Sequence, residues 1–207
     1  LDKGNIATAA LLMNSVTEPP QGEGIFDWRM RKARVLVLQG DYAKSVALLK
    51  QTINTSTDIS ASMLDHYMQV VFDFQTVQQN RQALILFNLI KPQWLTDKLK
   101  REIFFWKAES FNALNNHAQA ALYYLRSANI LPGQENDLWA QAARFNAAEA
   151  LVKAGLYDDG EKVYKDLLAI TVSESRKLLI RQHIQHIHLL RSAKKHQHVD
   201  KTEPQCQ

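Results

Sequence analysis

The 207-residue chain has 46% apolar residues, 22% charged residues, seven glycines and five prolines, a balance that excludes collagen-like, low-complexity and disordered classes. Its net charge is +4, yet seven basic residues against two acids fall within 174–201, so the rest sits near neutrality and makes no nucleic-acid footprint. The single cysteine, Cys206, has no partner for an internal disulfide, and the uncharged run 82–90 falls far short of the ~20 residues of a membrane helix.

No charged n-region followed by an apolar stretch opens the chain, so no signal peptide is read there. Leu1 stands where an initiating Met would, and upstream targeting sequence is expected to have been removed; the compartment stays open. Gly4–Asn5–Ile6 reads as a turn before a helix over 7–16, with Ala9 at a small and Met13 at a large position. That helix is expected to be the second of a repeat whose first lies upstream, or else a capping helix. Breakers follow at Gly22, Gly24, Gly40, Thr55–Thr57, Pro92, Asn115–Asn116, Pro132–Gly133 and Gly155. The segments between them have helical apolar spacing and lengths of about 12 to 20 residues, giving about ten helices and almost no strand signal.

Internal similarity organises these helices. Gly40–Asp41–Tyr42, Asn115–Asn116–His117 and Gly155–Leu156–Tyr157 align as turns between helix pairs. Before each turn stand a small residue (Ala33, Ala108, Ala148) and a large one (Leu36, Phe111, Leu151). After it come a small residue (Ser45, Ala120, Gly160) and an apolar or aromatic one (Leu49, Tyr124, Tyr164). A looser copy holds Val71, Phe74, Gln78, Ala83 and Phe87 at the matching places. Small residues facing each other let two helix backbones approach closely, while the large ones fill the groove beside them.

This pattern resembles the tetratricopeptide repeat family, best over 101–134, where Phe104, Ala108, Phe111, Ala120, Tyr124 and the terminal Pro132 all match. The resemblance implies an all-α, right-handed solenoid of antiparallel helix pairs. Repeats would occupy 1–172 with the first incomplete, a capping helix 173–195, and a polar tail 196–207. It also implies that the first helix of each repeat lines a concave groove. Carried onto this sequence, that face presents Met30, Arg31 and Arg34, then Met68, Gln69 and Phe72, then Phe105, Trp106 and Glu109, and last Phe145, Asn146 and Glu149. Chaperone-binding members use a Lys/Asn/Arg carboxylate clamp there; Met30/Arg34, Met68/Phe72, Phe105/Glu109 and Phe145/Glu149 do not supply one. Large apolar groups in a row suit a partner's apolar side chains, with Arg31, Arg34, Glu109 and Glu149 setting register.

Motifs for chemistry are missing from the sequence: no phosphate-cradling glycine loop, HExxH or GxSxG is present. Asp158–Asp159 opens a helix, where two acids complement its dipole. His183 and His186 lie about 60° apart on a helix, but His188 lies about 200° from His186, so the three cannot converge on a metal. His188 is read instead as a partly buried packing residue beside Ile184. The stripe Ile180, Ile184, Ile187, Leu190 makes the last helix amphipathic, as a cap requires. The sequence thus predicts a non-catalytic protein-interaction scaffold without cofactor or metal, binding another protein or peptide and no nucleic acid. The alternatives are homodimerisation or assembly through repeat ends, an enzyme built on Glu109/Glu149, and a basic C-terminal helix on an anionic surface.

Overall fold

The computed structural model describes residues 3–19, 23–131 and 137–199. Pro132, Cys206 and the expected tail from residue 200 onward lie outside the described residues. Among the described residues there are ten α-helices, one 3-10 turn and no strand. The chain divides into two compact units, Leu1–Thr96 and Asp97–Gln207. The first unit contains α1 (Lys3–Ser15), α2 (Glu23–Gln39), α3 (Tyr42–Thr55), α4 (Ala61–Thr76), α5 (Asn80–Phe87) and the 3-10 turn Pro92–Trp94. The second contains α6 (Asp97–Ala113), α7 (His117–Asn129), α8 (Leu138–Lys153), α9 (Tyr157–Ile170) and α10 (Glu174–Val199).

One backbone device recurs at the four expected turns. Gly40, Gln78, Asn115 and Gly155 all adopt left-handed backbone, with φ of 84°, 61°, 58° and 79°. At each, the left-handed residue donates its N–H to the carbonyl three residues back at 3.0 Å. The next residue donates to the carbonyl five back, on Leu36, Phe74, Phe111 and Leu151, at 2.8–2.9 Å. This capping motif satisfies the end of the first helix and reverses the chain into the second. The carbonyl of the same residue then accepts from the N–H of Ser45, Ala83, Ala120 or Gly160, so the turn and the small residue after it form one unit.

The hairpin seams follow from those small residues. Ala33 with Ser45, Val71 with Ala83, and Ala108 with Ala120 have no exposed surface. Ser45 also donates its hydroxyl to the Ala33 carbonyl at 2.9 Å. At Gly160 the seam leaves no room for a side chain: a Cβ there would meet the Ala148 carbonyl at 3.2 Å and Val152 Cγ2 at 2.9 Å. Leu49, Phe87, Tyr124 and Tyr164 are buried beside the seams. Each such side chain stabilises by roughly 1.5–3 kcal/mol.

The units stack their hairpins differently. In the first, α2 packs against both α3 and α4, and α5 against α3 and α4. Arg34 of α2 ties to Asp73 of α4, its Nε 2.6 Å from Oδ2. In the second, each helix packs chiefly on its neighbours in sequence, from α6 through α10. The apolar face of α10, with Ile180 and Ile187, covers Ala148, Tyr164 and Leu167.

Two boundaries differ from expectation. Asn5 and Ile6 lie within α1 and form no turn, since the helix begins at Lys3. The last helix continues to Val199 and passes the boundary expected at 195.

Candidate functional site

In the second unit, α8 borders a hollow and a cleft that include four of the expected site residues, Phe145, Asn146 and Glu149 of α8 and Glu109 of α6. Its start is fixed by Asp137, whose carboxylate accepts from Trp139 N–H at 2.6 Å and from Arg101 Nη1 at 3.1 Å. Arg101 lies beside it at 8% side-chain exposure, and this guanidinium holds the Asp137 carboxyl below its ordinary range. Trp139 then donates its indole N–H to Ser127 Oγ at 3.1 Å and meets Phe105 edge-to-face, ring centres 5.1 Å apart.

Phe105, expected in the groove, is half-buried. Its ring is boxed by Trp139, Tyr124 at 5.4 Å and Trp106 at 5.6 Å, so it belongs to the packing between hairpins. Met30 and Met68, read from sequence as groove residues, are 2% and 4% exposed. Amphipathic spacing marks them as apolar, but the pairing of α2 with α4 turns them inward. Arg34 is likewise spent on Asp73, while Arg31 and Gln69 are exposed and Phe72 is half-buried.

Phe145 has two environments. One side packs on Tyr164 and His183, with ring centres at 5.4 and 5.0 Å. The other opens on a hollow of about 200 Å³. Its lining is Gln141, Ala142, Phe145 and Asn146 of α8, Leu167 and Thr171 at the end of α9, and Arg176, Leu179 and Ile180 of α10. Leu179 is 45% exposed at this hollow although it is apolar.

A second cleft of about 200 Å³ adjoins it along α8 and shares Asn146. Here Glu109 and Asn112 of α6, Tyr124 of α7, and Asn146, Glu149 and Lys153 of α8 converge. Tyr124 donates its hydroxyl to Glu109 Oε1 at 2.5 Å. Burial, then the Glu109 bond and charge, push the Tyr124 phenol far above its ordinary value, so it serves as a donor and not as an acid. Glu149 accepts an ion pair from Lys153 at 3.1 Å, both ends well exposed. No cation among the described residues makes an ion pair with Glu109. Of the expected site residues, the structure therefore gathers Glu109, Asn146 and Glu149 in one cleft, with Phe145 in the hollow beside it.

The histidines of α10 diverge. His183 sits 3.2 Å from Tyr164 Oη, His186 is exposed, and His188 is an exposed residue 3.1 Å from Glu161. His188 is thus a hydrogen-bond partner of Glu161 on α9, and half-buried His183 fills the packing place expected of His188. No trio of His, Cys, Asp or Glu able to hold a metal occurs among the described residues. Two of the basic residues of α10 are tied internally: Arg191 to Asp158 and Glu161, and Lys177 to Glu174 at 2.8 Å.

Sequence reading missed the hollow's far wall, Leu167, Thr171, Arg176 and Leu179, because α9 and α10 were assigned to core and cap alone. Leu179, an apolar residue off the Ile180–Ile184–Ile187 stripe, was the available signal. No helix among the described residues is long and apolar enough to cross a membrane. In comparisons with protein-family models, curated proteins and solved structures, the chain matches none of them.

Proposed function

We propose that this chain is a tetratricopeptide-type, non-catalytic interaction module that holds a protein or peptide partner against the α8 face of its second unit. The observation that carries this reading is the open apolar hollow at Phe145 and Leu179, directly followed along α8 by the polar cleft at Glu109 and Glu149. Partly exposed apolar side chains rimmed by fixed polar groups are the usual makings of a recognition surface. The recurring caps and small-residue seams support the repeat assignment, because such arrays commonly serve as binding scaffolds. The test is affinity capture from a cell extract with the intact chain and with Leu179→Asp. A partner retained by the first and lost by the second, with equal thermal melts for both, supports the proposal. Equal capture by both chains refutes the placement.

A second reading rests on a different observation. Leu11 and Leu12 of α1 are 72% and 62% exposed, and Leu189 of α10 is 69% exposed. Self-association through such faces would appear in light scattering as a mass that rises with protein concentration.

A further inference from the structure

The hollow and the cleft differ in charge. Among the described residues, Arg176 is the only charged one lining the hollow. Among the described residues the cleft holds two carboxylates, Glu109 and Glu149, and one cation, Lys153. A basic side chain is therefore repelled beside the hollow and attracted one step further along α8. Lys153 is no bar to it, since its pair with Glu149 is exposed, and an exposed ion pair holds its partner weakly. Glu109 is the better-positioned acceptor: it lines the cleft, and Tyr124 fixes one of its oxygens.

From this we infer that the α8 face selects a partner segment carrying an apolar side chain followed at fixed spacing by a lysine or arginine, the reverse of the acidic-tail preference of clamp-bearing repeats. The inference rests on the interaction reading above and specifies its partner. Phe145 and Glu149 are one helical turn apart, about 6 Å along α8. An extended chain covers that distance in two residues, at about 3.3 Å each, and a helical one in four. The apolar side chain enters between Phe145 and Leu179, and the basic head lies between Glu109 and Glu149. Arginine suits this place better than lysine, because its planar fork can meet both carboxylates at once.

The experiment is selection of a phage-displayed library of random dodecapeptides on the immobilised intact chain, followed by titration of synthetic versions of the enriched peptides. The expected result is enrichment of Leu, Ile, Met or Phe with Arg or Lys two or four positions away. Their affinity falls about tenfold or more on Glu109→Gln plus Glu149→Gln, and comparably on Leu179→Asp. Glutamine keeps the size of each side chain and the bond from Tyr124, so circular dichroism melts of the double variant should match the parent. Association should also slow as salt is raised. Enriched peptides without a basic residue, or equal binding by the double variant, overturn the charge selection. If those peptides are still lost on Leu179→Asp, the interaction reading survives. Enriched peptides indifferent to all three substitutions, or no enrichment at all, overturn both.

Discussion

Gln78 and Asn115 occupy the same left-handed backbone as Gly40 and Gly155, with φ of 61° and 58°, although each carries a Cβ. That conformation costs an ordinary L-residue about 1–2 kcal/mol, while asparagine tolerates it better and glycine best. Gln78→Gly should therefore stabilise the chain by about 1 kcal/mol, offset only in part by the entropy of an added glycine, and Asn115→Gly by less. Urea midpoints of the two variants check the order. The opposite substitution is costly at Gly160. A methyl group there would lie 3.2 Å from the Ala148 carbonyl, a backbone atom that cannot turn aside, and 2.9 Å from Val152 Cγ2. Gly160→Ala should destabilise by about 1–3 kcal/mol through overpacking, measured in the same urea series.

Helix pairs follow from these residues. Ala108 and Ala120 are fully buried where α6 and α7 meet, whereas Gln119 points to solvent. Ala108→Arg and Ala120→Arg should each cost about 4 kcal/mol or more, and Gln119→Arg should be near neutral; thermal melts of the three variants decide whether the seam is placed correctly. The docking of α10 on α9 depends on Glu161, which receives Lys165, His188 and Arg191. Those hydrogen bonds, Lys165 first, lower its pKa from 4.5 to about 2. A carboxyl depressed on folding adds stability above its unfolded pKa and loses it as pH falls toward the folded value. The advantage of the parent over Glu161→Gln in melting temperature should thus be full at pH 6 and shrink between pH 4.5 and 2. These hairpins were legible in the sequence because left-handed caps and close seams restrict residue type locally, and Ala33, Ser45, Ala108 and Ala120 record that restriction. The faces of first helices were not. Whether Met30, Met68 or Phe105 meets solvent depends on another hairpin, through α4, α2 and α8 respectively, whose approach leaves no mark in the spacing of the helix that carries the residue. Phe145 borders a hollow whose opposite wall, on α9 and α10, likewise leaves no mark in the spacing of α8.

Each compact unit has its own buried core, and in the second unit α6 through α10 pack chiefly on sequence neighbours. A fragment of residues 97–207 should accordingly remain helical and melt cooperatively by circular dichroism, since its core residues, from Ala108 to Ile187, all lie within it. Ending the chain before Glu174 should instead bare the surface around Ala148, Tyr164 and Leu167 and increase binding of a hydrophobic dye. Neighbour-to-neighbour packing also bears on time. Every hairpin of the second unit closes over a short stretch of chain, so little loop entropy is lost before the first buried contacts form. Chains of such low contact order fold in microseconds to milliseconds, and any hairpin can serve as the starting point. In stopped-flow refolding, Ala108→Gly at one hairpin and Tyr164→Phe at another should mainly accelerate unfolding and leave the refolding rate nearly unchanged, because each variant chain can begin from the hairpin left intact. Haste, on this view, is built into the order of the helices, and the newly made chain spends little time with its apolar faces uncovered.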